Sequence, residues 1–259
     1  MLHNLTELYQ YRALLLNLIQ RELKARYRGS ALGFLWTFLN PTLLMLVYAL
    51  VFKVYMRQSM EHYTLFLFTG LLPWTWFSTS IIGGASAISD RRDLLTKVKF
   101  PPQVLPATVV FTNAFNYLLS LPLVFGLTLL SGAQLTLHFL FLPVIFLVQL
   151  VFTLAVTYAV SAINVTFRDL QHIVVNLVTL AFFLTPVVYP LSSIPVQYRE
   201  LALYLNPMAD MVTAYQDILY YHRLPSAIPL LNTGVVSLAI LMVSSVYFNR
   251  RREDFAERV

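Results

Sequence analysis

The sequence predicts an all-α polytopic membrane protein, with six transmembrane helices, an N-terminal amphipathic interfacial helix and a re-entrant extracytoplasmic helical hairpin between helices five and six. Three observations predict it. The 259 residues are 58% hydrophobic and only 12% charged, against roughly a quarter charged in soluble domains. Six stretches, 31–52, 64–88, 104–130, 137–163, 172–190 and 228–248, contain no Asp, Glu, Lys or Arg. Each is long enough, at 1.5 Å per residue, to cross about 30 Å of hydrocarbon when helical. Finally, 14 of the 18 basic residues fall before the first span, between the second and third, after the fourth or after the sixth. That bias places both termini in the cytoplasm.

The N-terminal segment, 1–30, reads as a cytoplasmic interfacial helix. Leu15, Ile19, Leu23 and Tyr27 recur every four residues, opposite Asn17, Arg21, Lys24 and Arg28. Arg26 falls on the apolar face, where its head snorkels or protein packs against it. Gly29 and Gly33 follow, bending the chain or admitting a close neighbour, with bending the simpler reading. The apolar run then begins too late and lasts too long for a cleaved signal peptide. Asn40 and Pro41 lie inside the first span and call for protein or water neighbours.

Spans one to five occupy 31–190. The connection 89–106 offers Ser89 or Asp90 as a helix cap and Pro101 and Pro102 as a stop, and predicts a short helix along the cytoplasmic face. The connection 164–173 carries adjacent Arg168 and Asp169. The acids in these two connections are not required by the charge bias alone. On the outer side, 191–227 predicts two short helices broken at Asn206 and Pro207, lying on or dipping into the outer leaflet as an inert cap or a gate. Span six is 228–248, and 249–259 is a cytoplasmic tail. The whole, 1–259, forms one transmembrane domain.

The missing chemistry excludes several classes. Ion-driven transporters and voltage sensors place charge inside their spans, and these spans have none. The five histidines show no metal spacing and no H-E-x-x-H, and no glycine opens a G-x-x-x-x-G-K-[ST] phosphate loop. A lipid-active intramembrane enzyme would need clustered acids or histidines, and Asp210, Asp217 and His222 form the one outer candidate. There is no cysteine. Aromatic residues make up 14% of the chain; most belong to interfacial belts, though their faces can also stack on sugar rings. Asn113, Asn116, Gln149, Asn164 and Asn176 pair helices or line a wet passage.

Five separated stretches, in order and together spanning most of the chain, carry a family resemblance. They are RELKARYRGSALGFLWTFLNP, FTGLLPWTWFSTS, LLTKVKFPPQVLP, FRDLQHIVVNLVTLAFFLTPVVYP and LNPMADMVTAYQDIL. Together they resemble the transmembrane subunits of type-2 ABC exporters of polysaccharide, in the Wzm-like group of O-antigen and teichoic-acid permeases. The resemblance implies a non-enzymatic, channel-forming subunit in the bacterial inner membrane, working in lipopolysaccharide biosynthesis. It implies as partners a second copy, two P-loop ATPase subunits and a lipid-linked polysaccharide, with no nucleic acid. ATP and Mg would be bound by the ATPase, so this chain itself carries no cofactor, metal or catalytic residue. The implied ATPase-docking residues are Asp90, Arg91, Arg92, Asp93 and Leu94, with Arg168, Asp169 and Leu170. The implied channel residues are Trp36, Tyr48, Trp74, Phe182, Phe183 and Tyr189. A sister type-2 exporter of drugs or lipids would look similar.

Overall fold

The structure is a computed structural model that describes residues 2–27, 29, 32–55, 57, 60–97, 100–132 and 136–258. Every regular element among them is helical: α1 (Leu2–Gln10), α2 (Arg12–Tyr27), α3 (Trp36–Ala49), α4 (Tyr63–Ser86), α5 (Arg92–Lys97), α6 (Val104–Leu130), α7 (Leu142–Thr166), α8 (Leu170–Leu184), α9 (Val196–Leu205), α10 (Pro207–Leu219) and α11 (Ala227–Arg258). Five stretches are long and apolar enough to cross a membrane: Phe38–Tyr55, Tyr63–Ser86, Val104–Leu130, Leu137–Thr166 and Ala227–Arg252. The first is α3 prolonged by a π-helical turn at Leu50–Tyr55.

The hub is α4, whose apolar stretch is 78% buried, whereas that of the first span is 6% buried. Around the hub pack α6, α7 and α10, and α11 runs along α7. The aromatic motif of α4 explains this centrality. Trp76 stacks on Tyr117 of α6 at 5.3 Å and on Phe146 of α7 at 4.8 Å, while Phe77 stacks on Phe152 at 5.5 Å. Offset stacking of this kind adds about 0.5–1.5 kcal/mol per pair beyond area burial. At Gly84 the helices approach so closely that a Cβ would lie 2.2 Å from Thr157 Cγ2. Gln149 of α7 donates from Nε2 to the Pro73 carbonyl at 2.8 Å, so it serves helix pairing.

The expected fifth span, 172–190, is helical only as α8, whose 15 residues rise about 22 Å. Pro186 ends it by forcing Thr185 into extended backbone, φ −102° and ψ 134°. The chain continues as a buried irregular stretch, and its carbonyls find partners inside the protein. Gln216 Nε2 donates to Pro186 O at 2.8 Å, and the Tyr63 hydroxyl to Val188 O at 2.6 Å. Non-helical backbone at membrane depth requires such internal satisfaction.

The segment 191–227 forms two helices with the expected break. Asn206 Oδ1 accepts from the backbone N–H groups of Met208 and Ala209, its Nδ2 donates to Thr185 Oγ1 at 2.9 Å, and Pro207 occupies the first turn. The two helices differ in setting, which the sequence reading did not separate. No residue of α9 is buried, whereas all of Met208–Leu219 is.

On the opposite side, Gly29 and Gly33 both have positive φ, 79° and 45°, and nothing lies within 4 Å of where their Cβ would be. This favours the bend over the close neighbour. The buried face of α2 is rotated from the expected one: Leu18 is buried, with Leu14 and Leu15 beside it, packed with Val104, Leu105 and Ala107 of α6. So many leucines surround this helix that its sequence alone does not choose a face. The side chain of Arg26, with Arg28 and Lys99, lies outside the described residues. Glu7 of α1 ties the termini together, accepting from Arg252 Nη1 at 3.2 Å and from Gln103 Nε2 at 2.6 Å.

Candidate functional site

Two groups of expected site residues assemble at different levels of the bundle. At one end, the connection after α4 meets the connection after α7. Because α7 continues to Thr166 and α8 starts at Leu170, the second connection is only 167–169. Asn164 Oδ1 accepts from the Gln171 backbone N–H at 3.1 Å and holds that corner tight. Asp90, Arg92 and Arg168 consequently share one notch of about 330 Å³ with Asn164, Gln171 and Ser86.

Within this end the eight docking candidates divide by what they touch. Arg91 is used inside the chain, donating from Nη2 to Glu22 Oε2 of α2 at 2.7 Å, both partly buried. Asp90 accepts from the Ser86 hydroxyl at 2.6 Å, and Ser89–Arg91 form a 3-10 turn in place of the expected cap. Leu94 and Leu170 pack against the two cores. Arg92, Asp93, Arg168 and Asp169 are exposed. Glu22 escaped the sequence reading because its partner is 69 positions away.

The second group is a ladder of rings where α3, α4 and α8 meet. Tyr48 lies 5.7 Å from Phe182, Phe182 lies 5.7 Å from Trp74 and 5.4 Å from Phe183, and the Tyr189 hydroxyl donates to Phe183 O at 2.8 Å. Phe52 extends the ladder from Tyr48 to Tyr63. Trp74 and Phe182 are buried backing, Tyr48 and Tyr189 are half-buried, and Phe183 is exposed. Trp36 stands apart, 12 positions before Tyr48 and therefore about 18 Å lower on α3. Such a surface offers apolar ring faces and carries no charge.

Asp210 and Asp217 are positioned by α10. Asp217 is salt-bridged to Arg223, Nη2 to Oδ1 at 2.7 Å; burial raises its carboxyl, and the Arg223 hydrogen bond and charge hold it down in part. Asp210 is 4% exposed, and its Oδ2 has no hydrogen-bond partner. Burial pushes its carboxyl up to about 6, opposed by the Thr233 hydroxyl and reinforced by the charge of Asp217. Among the described residues no three His, Asp or Glu side chains gather as a metal site.

A helical bundle with several membrane-length helices, a notch at one end and an uncharged ring surface within defines a multi-pass membrane protein. Over residues 13–220 the chain matches the ABC-2 type transporter family. It is 61% identical over 260 residues, the full length of both chains, to the O-antigen export system permease protein RfbA of Myxococcus xanthus. A protein of the same name from Klebsiella pneumoniae is 31% identical over 250 residues, 94% of each chain. The polysialic acid transport protein KpsM of Escherichia coli is 24% identical over 244 residues, 91% of this chain and 92% of its own. The chain belongs to the ABC-2 type transporter family.

Proposed function

We propose that this chain is the transmembrane subunit of an ABC exporter that moves lipid-linked polysaccharide, such as O-antigen, out of the cytoplasm across a bacterial inner membrane. Two copies form the conduit, and two P-loop ATPase subunits, which bind ATP and Mg, drive it from below. Both termini are cytoplasmic, α1 and α2 lie at the inner interface, α8 with 185–190 completes the sixth crossing, and α9–α10 form a re-entrant outer hairpin.

The observation that carries this reading is the notch at which two connections distant in sequence converge, beneath spans with no internal charge. A motor subunit pressing on that notch would reach Arg92 and Arg168 together, with exposed Asp93 and Asp169 next in sequence to them. The connection before it continues into α4, the hub, so a push there acts on the whole bundle as a lever. An uncharged polymer needs no counter-charge along its path. The ring ladder offers weak contacts at many registers, because stacking on aromatic faces is tolerant of which ring is presented.

Deleting the chain from its host should abolish surface polysaccharide. Charge reversal, Asp93→Arg or Arg168→Glu, should leave membrane insertion intact while export falls and ATP hydrolysis no longer responds to substrate. Unchanged export and coupling in both variants would remove the docking assignment.

A further inference from the structure

A cleft between α3, α4 and α6 is separate from the ring ladder and the notch, and shares residues with the expected sites only at Trp36 and at its lower end by Asp90 and Arg91. Its upper compartment, about 290 Å³, is walled by one face of each helix: Thr75 and Thr79 on α4, Asn113, Asn116 and Ser120 on α6, and Asn40 with Trp36 on α3. The spacings of three and four keep each set on a single side of its helix. A lower compartment of about 460 Å³ is bounded by the same Thr79 and Asn113 and ends at Glu22 and Arg91. The two are one trough, running from the α2–α5 end along about 16 Å of α6, from Val109 to Ser120.

Much of its polar lining can satisfy itself. Thr75, Thr79 and Ser120 donate back to carbonyls of their own helices at 2.6–2.9 Å. The asparagines cannot do this as well. Asn113 reaches only Ser80 Oγ, at 3.4 Å, and the buried Oδ1 of Asn116 has no hydrogen-bond partner. A membrane-embedded amide left without a partner is costly; because Asn116 lines the cleft, a rotation of its amide toward an entering hydroxyl would give the oxygen the donor it lacks. The back wall is the stacked Trp76–Tyr117 pair, Trp36 stands across from it, and no charged side chain lines the upper compartment. Neutral hydrogen-bonding groups between apolar ring faces suit a sugar ring, with hydroxyls at its rim and C–H faces above and below.

The cleft also leads to the ladder. On α3, Trp36, Asn40, Leu44 and Tyr48 follow at four-residue steps, each turning about 40° around the helix. The stripe therefore winds from the α6 side at Trp36 to the α8 side at Tyr48, where the rings begin.

We propose that the cleft of Asn40, Thr79, Asn113 and Asn116 is a binding site for neutral sugar residues of the exported glycan, occupied before the glycan reaches the aromatic ladder. The assignment rests on the polysaccharide-export reading.

The test places a photoreactive p-benzoyl-phenylalanine at exposed Thr79, and in separate variants at Tyr48 and at Leu147, on the outer surface of α7. The complete transporter is irradiated in cells fed tritiated glucose. A periodate-sensitive, high-mass adduct at residue 79, and none at 147, is the expected result. Asn116→Leu should also slow export about fivefold to tenfold at unchanged protein level, as loss of one hydrogen bond does, with Asn116→Gln restoring part of the rate. No glycan adduct at 79, or a lipid adduct alone, overturns the subsite whatever residue 48 captures. The deletion phenotype decides the export reading separately: surface polysaccharide that persists without the chain overturns that reading and the subsite with it.

Discussion

At the scale of single residues, α10 keeps a carboxyl where charge is disfavoured. Asp210 is buried on α10, one oxygen lacks a partner, and its carboxyl is raised to about 6. In the unfolded chain it titrates near 4. Between these values the folded state binds more protons, so stability falls as pH rises through this window and levels off above about 6. Asp210→Asn removes the charge and keeps the shape. Thermal unfolding of the solubilised protein should show the variant stabilised by about 3 kcal/mol at most at pH 8, with little difference at pH 4. An equal shift at both pH values would mean that Asp210 does not titrate in this window. Asp217 differs because Arg223 compensates its charge; Arg223→Gln should destabilise the loop at neutral pH and make Asp217 behave like its neighbour.

At the scale of elements, the geometry of the α4–α7 crossing rests on a missing side chain. Gly84→Ala would put a methyl group 2.2 Å from Thr157 Cγ2, forcing the helices apart at about 1–3 kcal/mol. Thr157→Ser deletes the opposing methyl, so the double variant should recover most of the lost melting temperature; additive losses would show that the crossing yields elsewhere. Such joints were hidden in the sequence, whereas the elements they join were mostly plain. The span 104–130 is bounded to the residue, because charge and Pro101–Pro102 fence one side and no charged residue interrupts the run. The end of α8 was missed, since hydropathy reports which solvent a stretch prefers and is silent on backbone conformation; Pro186 carried the signal. The two connections that meet at the notch carry acids that the charge bias does not require, which is legible in the sequence, but the Glu22–Arg91 brace that holds one of them depends on tertiary contact. The asparagines of α6 were noticed singly, and only the placement of α3 opposite them makes a cleft.

At the scale of the whole molecule, one protomer leaves a side of itself uncovered. The first span is 6% buried, and on α8 only Val174 and Phe182 are buried. Both helices pack on α4 and touch at the Tyr48–Phe182 ring contact, so their exposed residues flank one another on the same side of the hub. A lipid-facing surface is the expectation for any outer helix, and α7 and α11 expose comparable apolar residues at Leu147 and Val235. The ring ladder distinguishes the two sides, because half-buried Tyr48 carries a hydroxyl that hydrocarbon does not satisfy, whereas the α7–α11 side is almost wholly aliphatic. If the second copy covers the α3–α8 side, the conduit forms between protomers and the ladder faces it. The chain has no cysteine, which makes the test clean. Single substitutions Val47→Cys and Leu180→Cys, oxidised in native membranes, should yield a disulfide-linked dimer in at least one register, while Leu147→Cys and Val235→Cys remain monomeric. Dimers forming at Leu147 or Val235, and none at Val47 or Leu180, would put the partner on the other side and move the conduit away from the rings.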